Sequence, residues 1–162
     1  DNKCYKYCIS DKIIIVTIRT KYFCSIRTLG TGSNFFVGGK MKIKTGTDII
    51  EIDRIKESIE STDGKFCERV YTENEIKYCE SKNMQKYQHY AGRFAVKEAV
   101  FKAISQSLEN KYDISWKDIE VLNDNNGRPY VNILKSDIKF NDIDISISHC
   151  KKYAVANVVV IF

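Results

Sequence analysis

The sequence predicts an α+β fold, and two observations carry this prediction. Segments with helical spacing of apolar residues come first, and segments with strand-like alternation dominate the last third, which is typical of α+β rather than alternating α/β proteins. The chain has 162 residues, 43% of them hydrophobic and 29% charged, which suffices for one globular domain with a buried core.

Charge divides the chain near residue 40. Residues 1–40 hold seven Lys or Arg against two Asp or Glu, whereas the other 122 residues hold 19 of each sign. Residues 41–162 are predicted to form the domain, and their zero balance disfavours a nucleic-acid-binding protein. No apolar run approaches the ~20 residues of a membrane span, so neither a nucleic acid nor a membrane is expected as a partner.

Residues 1–40 are predicted to be a basic extension derived from a targeting segment. They are poor in acids and carry Gly, Ser and Thr late in the segment, and Met41 follows as a candidate start of the domain. Import into an organelle, with an apicoplast-type plastid first, is the expected localisation, and the cytoplasm is the alternative. A strand from Lys12 to Arg19, added to a sheet edge, is the competing interpretation.

The cysteines favour reduced thiols. No two of them form a CxxC pair, so a zinc site is not expected, and a domain with its own core does not need a disulfide framework. The six are Cys4, Cys8, Cys24, Cys67, Cys79 and Cys150.

The first part of the domain is predicted to be a strand followed by helices. Thr72, with Glu75 three residues later, forms a capping box that starts one helix, and the polar residues 82–90 are predicted to be a mobile loop. The strand is expected at about 42–49, and the helices from about 52, at 65–71, from 72 to about 81, and from 91 to about 109.

The last third is predicted to be four strands. The pair Asn126–Gly127 marks the tip of a turn. His149 lies where a strand meets a turn, which suits a functional side chain, although a lone His there is more often a plain polar turn residue. The strands are expected at 116–122, 130–134, 143–148 and 153–161.

The helix from Ala91 to Ile104 carries the first candidate functional residue. At about 100° per residue, Glu98 falls on the stripe of Phe94 and Phe101, where a carboxylate is costly without a partner. Lys102, at i+4, or a metal ion is the candidate partner. An ordinary surface pair of Glu98 with Lys102 is the alternative.

Two cations and a second carboxylate extend this candidate site. Arg93 and Lys97 share a neighbouring face of the same helix, so the helix offers positive charge suited to phosphates. Asp48 is predicted near the end of the first strand, buried among Ile neighbours. Because an Asp after a Gly also caps or turns a chain, a local role is the alternative for Asp48.

Five segments of the domain follow one another in a specific order. They are GTDIIEIDRI at 46–55, FCERVYTENE at 66–75, GRFAVKEAVFKAI at 92–104, NNGRPYV at 125–131 and ISISHCKKYAVANVVV at 145–160. Together they resemble the holo-(acyl-carrier-protein) synthases, the small trimeric class of 4′-phosphopantetheinyl transferases. The paired motifs GxDxxE and RFxxKEAxxKA at this spacing carry the resemblance, with Val100 and Cys150 as departures from a usual aromatic residue and a usual Thr.

The resemblance implies helices packed on an antiparallel sheet and a homotrimer with an active site at each interface. It implies an Mg²⁺-dependent transfer of the 4′-phosphopantetheine arm of coenzyme A to a serine of apo-acyl carrier protein, for fatty acid biosynthesis. Adenosine 3′,5′-bisphosphate is the other product. A protein that holds coenzyme A or the carrier without turnover is the alternative, and an activity assay discriminates the two.

The resemblance also assigns roles to residues that match the family motifs. Asp48 and Glu98 match the metal ligands and, with Lys102, form the catalytic group, in which Lys102 bonds a phosphate oxygen. The general base stays open between Glu98, acting through a water, and bulk solvent.

For the donor, Arg93 and His149 match residues that meet phosphates. The turn at the adenine end is matched by Gly127, Arg128 and Pro129.

For the acidic carrier protein, the resemblance implies three basic contacts. Arg54 matches a family contact, and Lys65 and Arg69 lie where the family has further basic residues. Solvated surface charge is the alternative for all three.

Overall fold

The computed structural model describes residues 3–9, 12–19, 23–29, 41–105, 108, 113–135 and 138–162, the first three ranges as backbone only. The chain divides into two compact units, Asp1–Lys42 and Ile43–Phe162. In the described part of the chain, no helix combines the length and the apolar character that crossing a membrane requires.

The first unit contains a three-stranded antiparallel sheet. Its strands are β1 (Lys3–Ile9), β2 (Lys12–Arg19) and β3 (Phe23–Leu29), in the order β1-β2-β3. The strand expected at 12–19 is thus present, but it is the central strand of this sheet rather than an addition to a sheet edge. The glycine-rich residues 30–40 lie outside the described residues, and the targeting role stays a prediction.

The second unit has the predicted order of helices first and most strands later. The 3₁₀ turns at Asn83–Gln85 and Trp116–Asp118 precede α4 and β5. The elements are β4 (Ile43–Glu51), α1 (Ile52–Ser61), α2 (Lys65–Val70), α3 (Glu73–Glu80), α4 (Lys86–Ile104), β5 (Ile119–Asn123), β6 (Pro129–Ile133), β7 (Asp142–His149) and β8 (Tyr153–Ile161).

The larger sheet has the order β4-β8-β7 and is antiparallel, so β8 is its central strand, while β5 and β6 form a separate hairpin. Alternate residues of β8 face the core, as the strand period of two requires. Helix α4 covers this face, and small residues from the helix meet aliphatic residues from the strand. The buried cluster includes Ala95, Ala99, Ala103, Ala156, Val158 and Val160.

Gly46 on β4 marks the closest approach of the sheet to α4. An ideal Cβ at this position would lie 1.8 Å from the carbonyl oxygen of Ala99 and 3.1 Å from the backbone nitrogen of Ala103. Only glycine permits this approach. The close approach in turn brings the neighbouring side chains of β4 over the helix.

Glu75 ties three elements together. Its backbone N–H donates to Thr72 Oγ1 at 3.4 Å and its Oε2 accepts from the Thr72 N–H at 2.8 Å, which confirms the predicted capping box. The Lys97 Nζ lies 2.8 Å from Glu75 Oε2, and the Val121 N–H donates to Oε1 at 2.9 Å. Because both charged side chains are fully buried, their pairing offsets part of the cost of removing them from water.

Two predicted boundaries are wrong. Residues 82–90 are not a loop, because α4 begins at Lys86 and Tyr90 is fully buried, with its carbonyl accepting from the Tyr71 hydroxyl at 3.0 Å. The strand expected from Trp116 begins only at Ile119, since a 3₁₀ turn comes first. The predicted helix end near residue 109 lies outside the described residues, and α4 itself ends at Ile104.

Candidate active site

The first cleft lies between β4, α1, α2 and α4 and contains both predicted metal ligands. Asp48 on β4 and Glu98 on α4 line it together, next to the rings of Phe66 and Phe94. The Asp48 side chain is 15% exposed, and Glu98 is half-buried. The structure therefore brings together two carboxylates that are remote in sequence, although Ile49 beside Asp48 is 63% exposed rather than buried around it.

Lys102 contacts Asp48 rather than Glu98. Its Nζ donates to Asp48 Oδ1 at 2.7 Å and to the Thr47 carbonyl at 3.0 Å, and half of its side chain is exposed. Among the described residues no ion pair joins Lys102 to Glu98, so the surface pair considered from the sequence is wrong. Strand β4 brings a better-placed carboxylate across the helix, which the spacing along α4 alone does not show.

The charge balance of the first cleft favours binding of a further cation. Burial raises the pKa of Glu98, the negative charge of Asp48 raises it further, and Lys102 offsets this only in part. Two carboxylate oxygens in one open cleft match the ligands of Mg²⁺, which typically takes one or two carboxylates and completes its shell with water and substrate phosphate. The donor set therefore fits Mg²⁺.

The face of α4 that reaches the core differs from the predicted one. Phe94, Glu98 and Phe101 are half-buried, whereas the fully buried face is lined by alanine and valine. Lys97 also differs, because it is fully buried and donates to the Trp116 carbonyl at 2.8 Å and to the Ile119 carbonyl in addition to pairing with Glu75. It is therefore a packing residue and not a free cation for phosphates.

The second cleft contains Arg93 and His149, together with Gly127 and Pro129. Arg93 is 3% exposed, and its Nη2 donates to Asn123 Oδ1 at 2.7 Å. Its Nε is buried and has no hydrogen-bond partner among the described residues. Arg93 lines this cleft, so its guanidinium is a candidate donor for an anion that enters it.

The turn between β5 and β6 shapes one wall of this second cleft. Gly127 has φ of +82°, a left-handed conformation that favours glycine, as the Asn126–Gly127 signal predicts. Asp124 Oδ1 accepts from the backbone N–H groups of Asn126 and Arg128, both at 2.8 Å. The side chain of Arg128 is exposed. The hydrogen bonds of Asp124 therefore hold the backbone of the turn in place and do not hold this side chain.

The two clefts lie on different sides of α4. Glu98 and Arg93 are five residues apart, which at about 100° per residue places them roughly 140° apart around the helix. No described residue lines both clefts. The predicted metal ligands Asp48 and Glu98 therefore lie in one cleft with Lys102 beside them, and the predicted phosphate ligands Arg93 and His149 lie in the other.

Comparison with known proteins places the second unit in a family. The family model of the 4′-phosphopantetheinyl transferase superfamily matches residues 44–158. The chain belongs to this superfamily.

Relatives in the superfamily share much of this sequence. The chain is 47% identical over 126 residues to the holo-(acyl-carrier-protein) synthase of Ruminiclostridium cellulolyticum, covering 74% of this chain and 92% of that protein. It is 46% identical over 119 residues to the enzyme of the same name from Protochlamydia amoebophila, covering 72% and 95%. The crystal structure of a Bacillus anthracis holo-(acyl-carrier-protein) synthase in complex with CoA (3′,5′-ADP) superposes with a TM-score of 0.63 at 37% identity, covering 75% of this chain and 97% of that one.

These findings confirm the predicted family, fold class and enzyme class, so the chain is a phosphopantetheinyl transferase. The roles of individual residues stay predictions. Of the predicted carrier contacts, Arg54 lines the first cleft, and Lys65 and Arg69 lie exposed on α2. Arg54 thus borders the cleft that contains the two carboxylates, whereas Lys65 and Arg69 are not among the residues that line it.

Sequence reasoning missed His89, Tyr78 and Asn123 in this phosphopantetheinyl transferase. All three line the second cleft. His89 and Tyr78 lie outside the segments that carry the resemblance, and His89 falls in the stretch predicted to be a loop. When α4 begins at Lys86, His89 lies four residues before Arg93 and on the same face of the helix. That spacing is the sequence pattern from which His89 could have been predicted.

Proposed function

We propose that the chain transfers the 4′-phosphopantetheine arm of coenzyme A to a serine of apo-acyl carrier protein, in an Mg²⁺-dependent reaction of fatty acid biosynthesis. The observation that carries the proposal is the meeting of Asp48 and Glu98 in one open cleft. Family membership supports the reaction class, and the bound CoA of the Bacillus anthracis structure supports the donor.

Asp48 and Glu98 would hold the Mg²⁺, which supplies neutralisation of charge on the donor pyrophosphate. The Lys102 side chain is half exposed, and its Nζ contacts Asp48. It can therefore donate to an oxygen of a phosphate that binds next to Asp48. In the metal-free protein, burial and the charge of Asp48 raise the pKa of Glu98, and a cation bound between the two carboxylates would relieve this repulsion.

The proposed transfer forms one bond to phosphorus and breaks one. A bond forms between the serine oxygen of the carrier and the phosphorus that bears the pantetheine arm. The bond from that phosphorus to the bridging oxygen breaks, and adenosine 3′,5′-bisphosphate leaves. The serine proton leaves to Glu98 through a water or to bulk solvent, the two routes left open above, and the exposed Arg54 would orient the acidic carrier at the same cleft.

The donor is proposed to lie between subunits of a homotrimer. Each subunit offers two half-sites, the first and the second cleft, on different sides of α4, so a complete site forms where the first cleft of one subunit meets the second cleft of a neighbour. The sheet face turned away from α4 supports an interface, because it exposes Ile43 by 46%, Ile49 by 63% and Val159 by 40%. Within the second cleft, Arg93 and His149 would meet phosphates, and Gly127 and Pro129 would border the adenine.

Mixed trimers test this sharing. Glu98→Gln damages only the first half-site and His149→Ala only the second, so each protein alone should be nearly inactive. In a random 1:1 mixture, about one quarter of the interfaces join two intact half-sites, because closed rings place each interface between two independently drawn subunits. Activity near that fraction after co-refolding supports the shared site, and no gain over the separate proteins contradicts it.

The reaction itself is tested by mass spectrometry of apo-acyl carrier protein after incubation with the chain, coenzyme A and Mg²⁺. A mass increase of one phosphopantetheine supports the transferase. An unchanged carrier mass, with coenzyme A bound to the chain, would favour the alternative of a binding protein without turnover. Glu98→Gln is the matched control, since it keeps the shape of the side chain and removes its charge.

Residues 41–162 are proposed to carry the activity, with residues 1–40 as an extension. The family match begins at residue 44, which agrees with this division. Delivery to a plastid gains no support from the two bacterial relatives named above, and it stays a prediction that rests on the basic composition of the segment.

A further inference from the structure

His89 lies in the second cleft within a cluster of rings and cations. Its ring is edge-to-face with the ring of His149, at 6.4 Å between centroids, and with the ring of Tyr78, at 5.5 Å. The guanidinium carbon of Arg93 lies 3.9 Å from the centroid of Tyr78, and the Nζ of Lys82 lies 4.4 Å from it. His89 is half-buried and lines the cleft together with Arg93, whose Nε has no hydrogen-bond partner among the described residues.

The groups that face His89 are all neutral or positive. Tyr78 comes from α3, Lys82 from the segment after it, Arg93 from α4 and His149 from β7. Of the described residues that line this cleft, none carries a carboxylate. The cleft therefore concentrates positive charge without a built-in counter-ion, which is the electrostatic complement of a phosphate-bearing ligand.

We propose that His89 is a further donor-binding residue, which takes up a proton when the phosphates of coenzyme A enter the cleft. In the free protein, burial lowers the pKa of His89, and Arg93, Lys82 and His149 lower it further, so the ring is neutral near pH 7. A bound phosphate adds negative charge to the same cluster and favours the imidazolium, which then donates a charge-assisted hydrogen bond. The inference rests on the proposed function, because it takes coenzyme A as the donor.

The sign of the pH dependence follows from linkage. Because binding raises the pKa of His89, the affinity for coenzyme A should increase as pH falls through the interval between its bound and free pKa. Each unit between the two values corresponds to about a tenfold gain in affinity. Above the bound pKa, His89 is neutral in both states and this gain is lost.

Calorimetry of the whole protein measures the proton directly. Coenzyme A is titrated at one pH in two buffers of different ionisation enthalpy, which gives the number of protons taken up. The wild type should take up more protons than His89→Phe, which keeps a ring against Tyr78 but cannot titrate. Tyr87→Phe is the matched control on the same helix, because Tyr87 bonds Glu60 outside the cleft, and it should behave as wild type. Adenosine, which lacks phosphate, should cause no uptake.

Nuclear magnetic resonance measures the same protonation in the wild type, so the test does not depend on whether the variant folds. The chain has two histidines, so ¹³C-labelled imidazoles give two signals, and the one absent from His89→Phe is assigned. Its titration midpoint should move to higher pH with coenzyme A or adenosine 3′,5′-bisphosphate. A midpoint that does not move, or equal proton uptake by wild type and His89→Phe, overturns this inference alone. Failure of the wild type to bind coenzyme A refutes the proposed function and this inference with it.

Discussion

Replacement of Gly46 by alanine should disable the enzyme without touching any side chain of the site. The new Cβ would lie 1.8 Å from the carbonyl oxygen of Ala99, whereas ordinary contacts begin at 3.4 Å. The obstacle is helix backbone, which cannot rotate away as a side chain can. Strand β4 and helix α4 must therefore separate locally by about 1.6 Å, the difference between those two distances.

This separation acts on both stability and catalysis. Overpacking of this kind costs about 1–3 kcal/mol of folding free energy. Asp48 follows Gly46 by two residues on the same face of β4, and Glu98 precedes Ala99, so the two carboxylates should move apart with their elements. Mg²⁺ needs ligand oxygens at about 2.1 Å, and a misplacement of about 1 Å can cost on the order of 10²-fold in rate. Transfer by Gly46→Ala should fall by at least that factor.

The assay is holo-carrier formation followed by mass spectrometry, well below the melting temperature of each variant. Gly64→Ala is the matched control, because Gly64 has φ of +81° with open space around its Cβ position and is not among the residues that line either cleft. Its strained backbone should cost about 1 kcal/mol or more in stability while turnover is kept. A folded Gly46→Ala protein with wild-type turnover would refute the reasoning that the strand–helix distance sets the carboxylate pair.

The remaining predictions concern the metal pair, the carrier and the extension. Glu98→Gln should abolish transfer and keep or raise the melting temperature of the metal-free protein, because Lys102 stays paired with Asp48 and an unfavourable charge is removed. Since folding raises the pKa of Glu98 above its usual 4.5, the folded state binds more protons and the wild type loses stability as pH rises through that interval. The gain from Gln should therefore appear above about pH 4.5 and vanish below it, and normal turnover in this variant would end the metal assignment. Arg54→Ala should weaken carrier binding more than coenzyme A binding, with an effect that shrinks in salt because the residue is exposed. A loss of coenzyme A affinity would instead place Arg54 in the donor site. Deletion of residues 1–40 should keep transfer, and soluble but inactive protein would show that the segment belongs to the fold.

Sequence patterns predicted the elements that carry strong local signals. The capping box of Thr72 and Glu75 starts α3, and the alternation from Tyr153 to Ile161 matches β8 residue for residue. The start of α4 escaped prediction because its first turn is polar, and what stabilises it is the burial of Tyr90 in a tertiary cluster. Local propensity does not contain that contact.

The core-facing side of α4 was misjudged for a related reason. Aromatic residues usually mark a buried face, but this helix meets the sheet so closely at Gly46 that only alanine fits between them, and Phe94 is displaced to the edge. Lys97 reads as a surface cation because its partner Glu75 lies on another helix. The candidate site was predictable where motifs name its residues, and His89 was not, because no motif contains it.

The buried carboxylate of Glu75 also has a consequence for how the molecule opens. It accepts from Thr72 at the start of α3, from Val121 on β5 and from Lys97 on α4. Opening α3 or α4 therefore leaves a charge unpaired in the interior, and opening β5 leaves the carboxylate without one of its hydrogen bonds. Their amide hydrogens should therefore exchange with solvent as one cooperative unit, with protection close to that of global unfolding. The helix that presents both half-sites then has no low-energy fluctuation of its own. Motions that admit the donor or release the product must come from side chains and from the segments that border the clefts.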